Sequence, residues 1–288
     1  MRMYAYKFNQ RNIFVLARTI FINLFINKWG LSMRIYVFKL KNIVICISMV
    51  ILCTIVLSLI GITGIKAIGV TAAGRDLPIY CVDINDKKAS ITFDCAWGAD
   101  DIPNILDTLE KENVKATFFI VGLWAEKFPD TVKLIAEKGH DIANHSYSHI
   151  RLGAVDNQRI KEEIVKCNQV LEKLTGKKVE LFRAPYGDYN NSVVAAARKE
   201  GCYTIQWNVD SLDWRPNITQ EEIMNRVTKR IEPGSIILFH NDTPHTAKLL
   251  PTIIATLKKE GYSLVPVSEL IIRDNYYIDN EGKQKRKE

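Results

Sequence analysis

The chain has 288 residues, 47% hydrophobic and 25% charged, with a formal net charge of +7, which suits one large domain or two small ones. The charge belongs to one end: the first 75 residues hold ten of the 39 Lys and Arg and none of the 32 Asp and Glu, leaving 29 basic against 32 acidic residues in the rest. The larger part therefore has no basic footprint for nucleic acid, and without a GxGxxG or P-loop pattern nucleotide binding is not expected either.

Residues 1–42 read as a basic leader on the cytoplasmic side. Ile13 to Ile26 is apolar but interrupted by Arg18 and Asn23, too short and too polar to span a bilayer well. Met33-Arg34, Lys39 and Lys41 before an apolar run make an export leader by themselves, so translation is expected to start at Met33 and residues 1–32 to have no native structure. Ile43 to Ile65 carries no charge for 23 positions, enough for one N-terminal transmembrane helix. The basic flank puts the N-terminus inside and the rest outside. Val70-Thr71-Ala72-Ala73 suits a signal peptidase. The length of the run favours a retained anchor in the cell membrane, with secretion after cleavage as the alternative. Of six cysteines, Cys46 and Cys53 fall in the apolar run, and Cys81, Cys95, Cys167 and Cys202 are too dispersed for a disulfide framework.

After a linker, 66–85, strands and helices alternate through 86–272. Ala89 to Phe93 is a strand, Pro103 to Glu112 a helix, Ala116 to Val121 a strand and Thr131 to Lys138 a helix stopped by Gly139. Asp141 to Ala143 is a short strand, Asn157 to Thr175 a long amphipathic helix closed by Gly176, and Glu180 to Phe182 a strand. Ser192 to Glu200 is helical and Tyr203 to Asn208 extended. Thr219 to Ile231 is a helix opened by a Thr219–Glu222 capping box. Ser235 to Phe239 is a strand, Ala247 to Glu260 a helix, Ser263 to Val265 a last strand, and Ser268 to Ile272 a short helix. The polar tail, 273–288, is expected to be frayed. About seven strand–helix units imply an α/β fold, an incomplete or distorted (β/α) barrel. An open doubly wound sheet is the runner-up. The barrel is preferred because Asp94, His145, Arg183, Asp210 and His240 all follow predicted strands, the end where barrels gather catalytic groups.

His145 and His149, in HSYSH, are two imidazoles four apart; on a helical turn they share one face and can converge on a metal ion. Asp94 is a carboxylate suited to take a proton from a metal-activated water. His240 has the imidazole expected of a general acid near neutral pH. His140 reads as structural and His245 as a solvated loop residue.

The segments TFDCAWG, HSYSH, RAPYG, DSLDW and LFH, in this order over about residues 86–272, resemble the motifs of the polysaccharide deacetylase family, the NodB-homology carbohydrate esterases. The leader and Trp97-Gly98 look most like its sporulation-associated, PdaB-like branch. The resemblance implies Asp94 as general base, Arg183 as the bidentate partner that orients it, and His145 and His149 as ligands of a divalent metal, zinc first, cobalt or another ion otherwise. It implies His240 as the general acid, charged and oriented by Asp213. Pro185 stiffens the turn whose Tyr186 N–H holds the oxyanion, and Trp214 and Leu238 wall the acetyl methyl. Asp210 either joins these or caps its own turn; Trp97 either stacks on sugar or packs.

One position departs from the family: Cys95 stands where a second Asp supplies the third metal ligand. Its thiolate can replace that ligand, or Asp100 or Asp101 can fold back, or water can complete a two-histidine site; as packing, Cys95 is a buried small side chain. The expected function is metal-dependent N-deacetylation of amino sugars in peptidoglycan, in spore cortex formation, by a membrane-anchored monomer. The alternatives are a chitin-oligosaccharide deacetylase and a silent glycan-binding protein.

Overall fold

The computed structural model describes residues 18–27, 30–39, 42, 44–52 and 75–287, in two units, Met1–Ala73 and Gly74–Glu288. In the first, β1 (Arg18–Asn27) and β2 (Gly30–Lys39) pair antiparallel in continuous register from Arg18↔Lys39 to Asn27↔Gly30. The part of 1–32 that is described is thus a hairpin, not an unstructured stretch; its β-branched and aromatic residues suit extended backbone. Helix α1, residues 44–52, carries the start of the expected membrane span, whose positions 43 and 53–65 lie outside the described residues. Among the described residues no helix is long and apolar enough to cross a membrane.

In the second unit, strand alternation sets the layout. In β4 (Lys88–Cys95), Ala89, Ile91, Phe93 and Cys95 enter the large apolar core, while Ser90, Thr92 and Asp94 are buried on the opposite face, the period of two that a pleated strand imposes. β5 (Thr117–Ile120) repeats it: Phe118 and Ile120 join the first core and Phe119 a second one with Ala143, Leu181, Ile205 and Ile236. One core thus lies under the helices and the other within the curl of the sheet.

The remaining elements are β3 (Cys81–Val82), α2 (Ile102–Lys111), α3 (Gly122–Lys127), α4 (Pro129–Glu137), β6 (Asp141–Asn144), α5 (Asn157–Thr175), β7 (Leu181–Phe182), α6 (Asn191–Lys199), β8 (Tyr203–Thr204), β9 (Val209–Asp210), α7 (Gln220–Thr228), β10 (Ser235–His240), α8 (Thr246–Lys259), β11 (Ser263–Leu264), α9 (Val267–Leu270), β12 (Tyr276–Ile278) and β13 (Lys283–Arg286). The hydrogen-bonded order is β12-β13-β3-β10-β4-β5-β6-β7-β8, with β11 beside β4 and β9 beside β10. From β10 through β8 every pair is parallel. A parallel bridge between Ile79 and Ile205 brings the β8 edge back to the segment that also pairs with β10. The sheet is therefore curled, as an incomplete (β/α) barrel requires and a flat doubly wound sheet does not.

Helix limits follow the local signals. Gly176 closes α5 at φ 67 in the left-handed region, which glycine enters without penalty. The capping box of Thr219 and Glu222 opens α7. Gly234, at φ 83, carries the closest approach: a Cβ there would sit 1.8 Å from the Val82 carbonyl oxygen.

The tail is not frayed. β12 and β13 form a hairpin, β13 pairs with β3, and the buried Gln284 side chain exchanges hydrogen bonds with the Ile272 backbone at 2.8 and 2.7 Å. Its alternating polar residues hid the pairing, because an edge strand keeps one polar face to water. β3 likewise draws the expected linker into the sheet.

Candidate active site

The parallel register of β10 and β4 sets His240 opposite Asp94, and that of β4 and β5 sets Asp94 opposite Phe119. Arg183, the residue after β7, is fully buried with its guanidinium 3.9 Å from the Phe119 ring centroid. Its Nη1 donates to Asp94 Oδ1 at 2.6 Å and to Thr92 Oγ1 at 3.0 Å; Nη2 donates to the Gln206 carbonyl at 3.1 Å. The ion pair is thus carried by one nitrogen rather than the expected fork: Thr92 and Gln206 take the other bonds. Burial opposes the charge on Asp94, yet Arg183, with His145 and His240, outweighs it and holds the carboxyl below the usual carboxylate range.

HSYSH is not helical. Ser146 and His149 have φ of 63 and 57, and the backbone coils through a loop. Such values cost a residue with a Cβ on the order of 1 kcal/mol each, so something must hold them. Asn144 Oδ1 accepts from Ser146 N–H at 2.7 Å, and Asn144 Nδ2 donates to the Ile164 carbonyl and to Asn168 on α5. Glu163, 1% exposed, accepts from Ser148 N–H at 2.7 Å, from Ser148 Oγ at 2.5 Å and from Arg159 at 2.6 Å. The loop still brings the two imidazoles together, with centroids 5.1 Å apart at 60°.

His145 Nδ1 lies 2.9 Å from the Arg183 carbonyl oxygen. A carbonyl only accepts, so Nδ1 carries the hydrogen and Nε2 presents its lone pair, 3.4 Å from Asp94 Oδ2. A lone pair facing a carboxylate favours a cation between or beside them. Burial keeps both imidazoles neutral, His149 down at about 4, the form that binds a metal. The pair therefore fits a divalent ion. No third side chain joins it: among the described residues no group of three or more His, Cys, Asp or Glu is arranged to hold a metal ion. Cys95 is the last residue of β4, packed into the core under the helices, with a thiol raised well above its usual range by burial and by Asp94. The thiolate-ligand alternative is overturned by strand alternation, and the buried-packing reading stands. Asp101 accepts from Asp242 N–H instead, and Asp100 is exposed.

On the other side, Asp213 Oδ1 lies 2.8 Å from His240 Nδ1, and Oδ2 accepts from His240 N–H at 2.7 Å and from Thr246 Oγ1 at 2.5 Å. Burial lowers the His240 imidazole, but the bond and charge of Asp213, with Asp94 and Asp210, raise it on balance. Asp210 caps its own turn, its Oδ1 accepting from Leu212 N–H at 2.8 Å.

Pro185 and Tyr186 sit in a 3₁₀ turn in which Tyr186 has φ 60. Its ring is exposed, 4.7 Å from the His149 ring, and Trp97 meets His149 edge-on at 5.5 Å, also exposed. Trp214 is exposed and Leu238 buried, beside Thr92 and Asp210 in register. His140 accepts from Ala116 N–H behind the site, and His245 flanks the start of α8. Sequence reading missed Thr246, Glu163 and Asn168. Glu163 and Asn168 left a signal, polar residues within the buried stripe Ile160, Ile164, Cys167 and Leu171; Thr246 left none.

A buried carboxylate–arginine pair, two neutral imidazoles and a histidine charged by a carboxylate thus meet at the strand ends of one curled sheet. A family model described as polysaccharide deacetylase matches residues 82–205. A Bacillus cereus peptidoglycan-N-acetylglucosamine deacetylase is 37% identical over 65% of this chain and 69% of its own. The Bacillus subtilis peptidoglycan-N-acetylmuramic acid deacetylase PdaA is 30% identical over 67% of this chain and 74% of its own. A solved CE4-family pseudoenzyme from Bacillus anthracis superposes with a TM-score of 0.65 at 32% identity, covering 73% of each chain. The chain belongs to the polysaccharide deacetylase family, hydrolases acting on the amide bonds of acetylated glycans.

Proposed function

We propose that this chain removes acetyl groups from N-acetylated amino sugars of peptidoglycan, outside the cytoplasmic membrane, using a divalent metal. The observation that carries the reading is the pair of opposed proton-handling groups, Asp94 held by Arg183 and His240 held by Asp213, across from the two imidazoles. The peptidoglycan substrates of the two Bacillus relatives supply the substrate class.

In this reading His145 and His149 hold the ion, which when bound polarises the acetamido carbonyl. Asp94, kept ionised, takes a proton from the attacking water. Arg183 fixes the carboxylate through Oδ1 and leaves Oδ2 free for that proton. The N–H of Tyr186 donates to the oxyanion that forms as oxygen adds to the carbonyl carbon. His240, its Nδ1 engaged by Asp213, gives the Nε2 proton to the sugar nitrogen as the C–N bond breaks, releasing acetate and a free amine. Trp214 and Leu238 border the acetyl methyl.

The exposed apolar side chains of residues 44–52 support a membrane anchor there, a single pass with the N-terminus inside. The resemblance of the leader and of Trp97-Gly98 supports a place in spore cortex formation. A monomer with glycan as its partner suits this arrangement.

A second reading is a silent glycan-binding protein. It is favoured by the two-histidine donor set and by the likeness to a pseudoenzyme. Acetate release from purified peptidoglycan by the full chain, beside Asp94→Ala, separates the two: release that is lost in the variant supports catalysis, and glycan binding without release in either supports the silent protein.

A further inference from the structure

Arg151 lies just beyond HSYSH, exposed, with its guanidinium 4.6 Å from the centroid of the Tyr186 ring. The same ring is 4.7 Å from the ring of His149. One aromatic side chain thus separates this cation from the imidazole pair. Tyr186 sits at φ 60 in the short turn Pro185–Gly187. Among the described residues the Arg151 guanidinium makes no hydrogen bond or ion pair. The acid on the neighbouring turn, Asp188, accepts instead from Gly153 N–H at 3.1 Å. Arg159, a few residues on, is by contrast tied to Glu163 at 2.6 Å. Stacking on an aromatic face orients a guanidinium while leaving its N–H edge free, the geometry that receives a carboxylate with two parallel bonds.

We propose that Arg151, backed by Tyr186, forms a carboxylate subsite that selects glycans bearing an acid close to the acetamido group. This rests on the deacetylase reading and narrows its substrate to muramoyl-type sugars, whose acid-bearing ether stands on the ring carbon next to the acetamido carbon. Glucosamine-type sugars carry no such group. The acid is either the free lactyl carboxylate or a carboxylate of an attached peptide; both offer the same chemistry to the guanidinium. Tyr186 holds the arginine over its ring, beside His149.

The test compares kcat/KM for acetate release by the full chain from three oligosaccharide sets. These are muramoyl glycan with free lactyl acid, the same glycan with its acid amidated, and glycan still carrying stem peptide. The expected result is a preference for the acidic substrate over its amide that falls about tenfold in Arg151→Ala, chiefly through KM, returns in part in Arg151→Lys, and weakens as salt rises. A preference for the peptide-bearing glycan over the free acid would assign the subsite to the peptide carboxylate. An acid-to-amide ratio that is the same in wild type and Arg151→Ala overturns the proposal. Release from none of the sets would instead sink the deacetylase reading on which it stands, and a Trp97→Ala control shows whether any change is special to the cation.

Discussion

At the scale of single residues, two buried ion pairs prepare opposite ends of the proposed proton transfer. Asp94 is held ionised by Arg183 inside the curl of the sheet, and Asp213 raises His240. Asp213→Asn removes the charge that raises the imidazole, so the His240 pKa falls. Because His240 acts protonated in the proposed reaction, the alkaline limb of the kcat/KM profile should move to lower pH; a limb that stays put removes His240 from the acid role. Cys95 makes a separate prediction. Its side chain packs under the helices, so Cys95→Ala should cost on the order of 1 kcal/mol in urea unfolding and leave metal stoichiometry unaltered, whereas a lost metal would restore sulfur as a ligand. That outcome was half legible in the sequence. The alternation SITFDC already sets Asp and Cys on opposite faces of one strand; the residue type alone, which suits a zinc ligand, pointed the other way.

At the scale of elements, the loop that bears the histidines depends on a helix some way along the chain. Glu163 and Asn168 on α5 fasten Ser148 and Asn144, the residues that shape the HSYSH coil. Glu163→Ala should destabilise the fold by about 1.5–3 kcal/mol, the worth of hydrogen bonds to a buried charge, and weaken metal binding about 10–100-fold as a lost outer-shell partner does. Glu163→Gln, which keeps an acceptor for Ser148 N–H, should fall between. A metal titration identical to wild type in both variants would contradict the dependence. α5 itself was readable to its ends, Asn157 to Thr175, because apolar period and Gly176 stop agree; the structure adds Asp156 as its N-cap. The loop was not. Four-residue histidine spacing suggests a helical turn, but hydrogen bonds from residues distant in sequence decide otherwise. The short β9 and the C-terminal hairpin escaped for a related reason: two to four residues carry too little period to read, and their partners lie far along the chain.

For the molecule as a whole, the curled sheet and its seven strand–helix units followed from the alternation of patterns, because buried parallel strands and one-sided helices each leave a strong period. Burying imidazoles neutral gives the fold a shared acid sensitivity. His140 accepts from Ala116 N–H and is held down at about 4 by burial and by Lys115 and Lys138. Its folded value lies below the unfolded one, so the unfolded chain takes up the proton first. The stability His140 confers is therefore complete above pH 6.5 and is lost as pH falls toward 4, by about 3 kcal/mol. His140→Gln keeps an acceptor but has no such proton to take up. Its unfolding free energy should fall less steeply over that window; equal slopes would mean that His140 is already charged in the folded protein.

The central claim is that the Asp94–Arg183 and Asp213–His240 pairs work with a metal at His145 and His149 to hydrolyse an acetamide. One measurement tests it most directly: acetate released from peptidoglycan by the full chain, with bound metal determined on the same sample, beside His149→Ala. The account predicts release from the wild type in proportion to its metal content, with both metal and release lost in the variant. Release that persists in metal-free His149→Ala, or its absence from wild type saturated with zinc or cobalt, would contradict it.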